Sequence, residues 1–135
     1  MKINKIDHLC IAVKDLEAAR KAWEPILGKG PDLEYVHEGE QIRVARYILG
    51  GVGFELMEST SPQGDVAKWI EKRGEGLMLV SLNVDSTRES VDELKDKGYP
   101  IIGGLRTFND CEFAFIHPKA VNGTLLEVID DKWQE

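Results

Sequence analysis

Apolar and polar positions alternate along "KIDHLCIAV", residues 5–13, the period-of-two pattern of a strand with two unlike faces. His8, Cys10 and Ala12 share one face, and Leu9, Ile11 and Val13 the other. The period then lengthens. Leu16, Ala19, Trp23, Ile26 and Leu27 recur at helical spacing behind Asp15, a capping residue, and Pro25 and Gly28 mark a frayed end. Three more strand patterns follow, near 33–37, 41–49 and 52–58, with "LGGVG" as the hairpin turn between the last two. The connector "SPQGDVAKWIEKRGEG" predicts a short helix with Val66, Trp69 and Ile70 inward.

The same order then recurs. "HLCIAVKDLEAARKAW" (8–23) lies over "LVSLNVDSTRESVDEL" (79–94) at a separation of 71 residues, and Glu55 of "GFELME" lies over Glu127 of "LLEVID" at 72. In the second half Ser86 and Glu89 have capping-box spacing, Val91 and Leu94 form the buried helix face, Gly98 stops it, and strands are expected near 100–103, 111–117 and 123–130. Chain length and this repeat predict one α+β domain made of two tandem βαβββ modules, about 1–60 and 75–135, joined by the helical connector. The modules are expected to form a curved, partly closed antiparallel sheet around a cavity, with helices outside.

The bulky strand faces should meet the helices, which leaves the opposite faces for chemistry. Glu55 sits between Phe54 and Leu56, and Glu127 between Leu126 and Val128, so both carboxylates are expected to point into the cavity with His8. Taken singly, His8 reads as a hydrogen-bonded core residue and each glutamate as the wet face of a sheet. At pseudo-equivalent places in two halves they read as a site. Buried together, an imidazole and two carboxylates cost several kcal/mol unless paired or bound to a cation. His8, Glu55 and Glu127 suit a divalent ion such as Zn²⁺, Co²⁺, Ni²⁺ or Mn²⁺. The second-half counterpart of His8 is Leu79, which coordinates nothing; Met78 points to the other face, and Ser81 shares the cavity face two residues along.

Composition narrows the partners. A formal net charge of −7 with scattered Lys and Arg excludes a basic nucleic-acid stripe but not a small anion. The apolar runs are too short to span a membrane, and the N-terminal pattern is not that of a signal peptide, so a cytoplasmic location is expected. Cys10 and Cys111 read as reduced, buried thiols.

The stretches "KIDHLCIAVKDLEAARKAWEPILG", "FELMESTSPQGDVAKWIEKRGEGL" and "FAFIHPKAVNGTLLEV", with the element order, resemble the vicinal oxygen chelate (glyoxalase/bleomycin resistance/dioxygenase) superfamily. The nearest likeness is to its methylmalonyl-CoA epimerase branch. That resemblance implies metal ligands at His8, Glu55, Leu79 and Glu127, with leucine standing where the branch's "GLHH"-like segment has histidine. It further implies Glu127 as ligand and base together, a small-molecule substrate such as an acyl-CoA, and a homodimer. Lys119 of "HPK" is implied as a CoA-phosphate contact, while Arg106 offers a fork for a carboxylate or phosphate. Glu38 and Glu40 read as a solvated hairpin face. Three functions stand open: a metal-assisted epimerase-like enzyme, a metal-free isomerase or lyase of the same fold, and a small-molecule binding protein without turnover. Ring-cleaving dioxygenase chemistry is disfavoured, because its facial triad needs a second histidine.

Overall fold

The computed structural model describes residues 1–133. Its elements run β1 (Ile3–Ala12), α1 (Leu16–Leu27), β2 (Leu33–His37), β3 (Ile42–Leu49), β4 (Val52–Ser59), α2 (Asp65–Arg73), β5 (Gly76–Val84), α3 (Thr87–Asp96), β6 (Ile101–Phe108), β7 (Cys111–Ile116) and β8 (Leu125–Ile129). This is the α+β order expected from the two repeats. The eight strands belong to one sheet in the order β2-β3-β4-β1-β5-β8-β7-β6. The sheet is mixed, not antiparallel throughout: β5 and β8 pair in parallel. The cause is connectivity. Helix α3 carries the chain back to the end where β5 began, so β6 runs the same way as β5, and two antiparallel steps through β7 return β8 in that direction.

The chain forms two compact units, one of residues 1–8 with residues 79 onward, the other Leu9–Met78. The division falls inside β1 and β5, so the units do not follow the repeat boundaries read from the sequence. In the unit Leu9–Met78, α1 packs on the bulky strand face. Val13, Leu16, Ala45, Tyr47 and Leu56 are buried with Ile11, Ala19, Trp23, Leu27 and Phe54 around them. Asp15 caps α1 by accepting from the Ala18 N–H, and Gly28 ends it in the left-handed region at φ 73°. Two expectations fail here. Pro25 lies inside the helix, and Ile26 is 77% exposed on its outer side. Pro25 has no N–H to donate to the carbonyl four residues back, and the helix runs only two residues past it before Gly28 caps it.

In the other unit, Val91 and Leu94 of α3 pack on Val84, Ala114, Ile116 and Val128, with Leu126 beside them. Ser86 caps α3 by accepting from the Glu89 N–H. Strand β6 extends to Phe108, beyond the 100–103 expected, and carries Arg106. Both cysteines are buried, and neither forms a disulfide among the described residues. Among the described residues, no helix is long and apolar enough to cross a membrane.

Candidate active site

Each unit carries a buried polar cluster on the sheet face away from its helix. In the first, Asp7 is 1% exposed and anchors His8 through an Oδ1 to Nδ1 contact of 2.6 Å. Its Oδ2 accepts from Asn83 Nδ2 and from Trp133 Nε1, each at 2.8 Å. Burial alone would raise the Asp7 carboxyl; hydrogen bonding and charge from His8, then the Asn83 and Trp133 donors, outweigh it and hold the pKa at about 2. An anionic Asp7 accepts only, so the proton between them belongs to His8 Nδ1. This is an assignment from the network. The Nε2 nitrogen is thereby left on the side of the ring away from Asp7.

Glu127 faces that nitrogen. Its Oε1 lies 3.2 Å from His8 Nε2, yet it accepts no directed hydrogen bond among the described residues. Distance alone would make this an ion pair; direction does not support an N–H donating along it. Two donor atoms bound about 2.0–2.2 Å from one cation at near-right angles stand about 3 Å apart, which is this spacing. An imidazole whose far nitrogen is held by a carboxylate is also the usual presentation of a metal-binding histidine. On unit geometry, therefore, His8 and Glu127 fit a divalent cation.

Register extends this cluster sideways. Ser81 on β5 is the Cα partner of Glu127 on β8, which is in turn the partner of Phe115 on β7. Ser81 is fully buried and its Oγ has no hydrogen-bond partner among the described residues. The Arg106 guanidinium lies over the Phe115 ring, 5.0 Å from its centroid. It also folds across Gly103, where an added Cβ would stand 2.5 Å from Arg106 Nη2. The unit thus presents hydroxyl, carboxylate, aromatic ring and guanidinium in a row. Leu79 is 4% exposed and pairs with Leu125, one step outside it. Lys119 is exposed in a 3-10 turn, Pro118–Ala120, capped by His117, and is not part of the row.

In the other unit, Glu55 is 1% exposed and its carboxylate is already engaged. Arg46 Nη1 donates to Oε2 at 2.7 Å, Tyr35 Oη donates to the same oxygen at 3.2 Å, and Cys10 Sγ donates to Oε1 at 3.3 Å. Arg46 is itself 8% exposed. Its guanidinium rests on Gly53, where a Cβ would sit 2.5 Å from Cζ. Burial, followed by the Glu55 charge, pushes the Tyr35 hydroxyl well above the usual phenol range, so it remains a donor. Glu38 is exposed and Glu40 half-buried, beside this cluster in sequence but on a 3-10 turn.

Sequence reasoning placed His8, Glu55, Glu127 and Ser81 at buried polar positions, and missed Asp7, Asn83, Trp133, Arg46, Tyr35 and Phe115 around them. Two signals were present. Asp7 precedes His8 directly, and counting outward from the "LGGVG" turn puts Arg46 opposite Glu55.

A model of the Glyoxalase/Bleomycin resistance protein/Dioxygenase superfamily matches residues 7–115. The chain is 30% identical over 136 residues to the uncharacterized protein YqjC of Bacillus subtilis, covering 96% of this chain and 94% of that one. It is 26% identical to the ethylmalonyl-CoA/methylmalonyl-CoA epimerase of Cereibacter sphaeroides, covering 93% and 97%. A Streptomyces coelicolor methylmalonyl-CoA epimerase in complex with 2-nitronate-propionyl-CoA superposes with a TM-score of 0.90 at 25% identity, covering 99% of both chains.

Proposed function

From a chain that belongs to the Glyoxalase/Bleomycin resistance protein/Dioxygenase superfamily, we propose an enzyme that moves a proton at the carbon α to a thioester, acting on a small acyl-CoA in the manner of a methylmalonyl-CoA epimerase. The epimerases among its relatives support the substrate class. The observation that carries the reading is the approach of His8 Nε2 to Glu127 Oε1 at 3.2 Å without a directed hydrogen bond, behind an imidazole fixed by Asp7.

His8 and Glu127 would hold a divalent cation, Zn²⁺, Co²⁺, Ni²⁺ or Mn²⁺ being suited to nitrogen and oxygen donors. When bound, the cation supplies Lewis acidity toward the thioester oxygen and the charge that develops on it. The rest falls to the chain. Asp7 holds His8 in one tautomer, so that its lone pair is aimed at every turnover. Glu127 removes the α-proton on its second oxygen, and an acid on the opposite face of the α-carbon returns a proton to complete the inversion; Glu127 suits the first role because it is buried and acceptor-only when ionised. Ser81 and Arg106, on the same face as Glu127, bind the acyl and carboxylate oxygens, and Lys119 on its exposed turn meets the more distant phosphates. The cation, the acyl-CoA substrate, the pairing of two copies and the cytoplasmic setting belong together in this reading.

One observation favours a metal-free relative instead: Glu55 already has a guanidinium 2.7 Å away. Mass spectrometry of methylmalonyl-CoA incubated with the protein in D₂O separates the two, with metal content measured on the same sample. Deuterium at the α-carbon with bound metal is expected, and Glu127→Gln should slow it at least about 100-fold. Undiminished exchange in that variant removes Glu127 from the chemistry.

A further inference from the structure

Two glycines aim the arginine on the site face. Ile102 of β6 pairs with Phe115 of β7 and Arg106 with Phe113, so four residues on β6 span what two span on β7. The surplus forms a bulge on the edge strand of the sheet, a device that re-aims a side chain. Alternation survives it, because the surplus is two residues. Ile101 and Leu105 pack on the cluster around Val91 and Leu94 of α3, and Arg106 keeps the face of Phe113 and Phe115. Gly103 and Gly104 supply left-handed backbone within the bulge, at φ 72° and 66°. They differ in what lies beyond them. A Cβ at Gly104 would meet open space, whereas one at Gly103 would stand 2.5 Å from Arg106 Nη2 and 3.2 Å from its Cζ and Nε. The guanidinium fills the space of the missing side chain and lies 5.0 Å from the Phe115 ring centroid.

Resting on the acyl-CoA reading above, we propose that Gly103 is a specificity-determining residue. By yielding its Cβ space it holds the Arg106 fork over Phe115, where the fork distinguishes an acyl group ending in a carboxylate from an uncharged one. Phe115 pairs with Glu127 and Glu127 with Ser81, all within the unit of residues 1–8 and 79 onward. The Ser81 Oγ is buried without a hydrogen-bond partner among the described residues, which points to a ligand group on this face. Two strand spacings of about 4.8 Å separate that hydroxyl from the ring, with Glu127 between them. A short acyl chain ending in a carboxylate, with hydrogen bonds at both ends, fills such a span. The carboxylate then meets two N–H donors in one plane, a match that an ammonium does not offer. A guanidinium stays protonated, so its effect is on which substrate is held and not on proton movement.

Calorimetric titration of the full chain with malonyl-CoA and propionyl-CoA tests this, since the two differ by carboxylate against methyl. Wild type should bind malonyl-CoA about 10- to 100-fold more tightly. Gly103→Ala should lose that preference, as should Arg106→Met. Gly104→Ala should keep it, although it too places a side chain in left-handed backbone; circular dichroism checks that each variant folds. A second measurement needs no change at Gly103. The Arg106 Nε–H signal in ¹⁵N NMR, assigned by its loss in Arg106→Met, should move on adding malonyl-CoA and stay in place with propionyl-CoA. Equal loss of preference in the two glycine variants traces the effect to the bulge backbone and overturns the role of Gly103, as does a preference kept in both. A wild type that holds the two thioesters alike, or an Arg106 signal indifferent to malonyl-CoA, overturns the proposal and leaves the acyl-CoA reading standing. A wild type that binds neither thioester overturns both.

Discussion

Asp7 decides the state of His8, and its own state can be read by acid. With a folded pKa of about 2, against an ordinary aspartate value near 3.9, it favours the folded state when ionised. The sign follows from proton counting. Below the ordinary value the unfolded chain takes up the proton first, so this stabilisation is complete above about pH 5 and is lost as pH falls through about 2. Urea unfolding at pH 6 and at pH 2.5 should show wild type losing roughly 2 kcal/mol more than Asp7→Asn across that interval. Equal losses would mean that Asp7 is not paired as described. Trp133 acts through the same carboxylate, donating Nε1–H while Lys5 Nζ lies 3.5 Å from its ring centroid. Trp133→Phe keeps the ring and removes the donor, and should cost about 1.5–3 kcal/mol in the same assay at pH 6. The sequence named His8 but not its support. Alternation assigns neighbours to opposite faces, and so hides a carboxylate that bonds to the very next residue.

The hairpin of β3 and β4 shows what an element adds to its residues. Gly50 and Gly51, at φ 57° and 85°, supply the left-handed turn that only glycine makes cheaply. That turn sets the register, Leu49 against Val52, and the register brings Arg46 to Glu55 three pairs away. Gly53 completes the arrangement by leaving its Cβ space to the guanidinium. The pair is therefore written into the spacing of the chain, although no periodicity pattern would flag it. Removing one member of a buried pair strands the other, so Arg46→Met should destabilise by about 3–5 kcal/mol. The double variant Arg46→Met, Glu55→Met should recover most of that, since volume is kept and no charge remains buried. Additive single and double effects in urea unfolding would show that the two side chains do not depend on each other. Elements were legible wherever a period or a cap was clean, as in β1, α1 and α3. The exceptions have physical causes. The end of α1 is set by the left-handed cap at Gly28 and not by Pro25, and the strand direction of β8 depends on a crossover that local pattern does not encode.

At the scale of the whole chain, the duplication is visible twice, in the element order and in the placing of Glu55 and Glu127 on the face away from each unit's helix. Where the copies differ is as informative as where they agree. His8 has a carboxylate behind it, whereas Leu79 is 4% exposed and pairs with Leu125. A histidine at 79 would regain the repeat but would bury an imidazole without a partner at a site built for leucine. Without metal, Leu79→His should therefore lower stability by about 1–3 kcal/mol. With metal the balance reverses. A ligand that binds only the folded state stabilises by RT ln(1 + [L]/Kd), so a tenfold gain in affinity returns about 1.4 kcal/mol at saturating zinc. The expected result in differential scanning calorimetry is a lower Tm for the metal-free variant and a larger rise on adding zinc than in wild type. A variant whose Tm is depressed equally with and without zinc would show that position 79 has lost its relation to the ligands, and that the two halves no longer share one plan at this point.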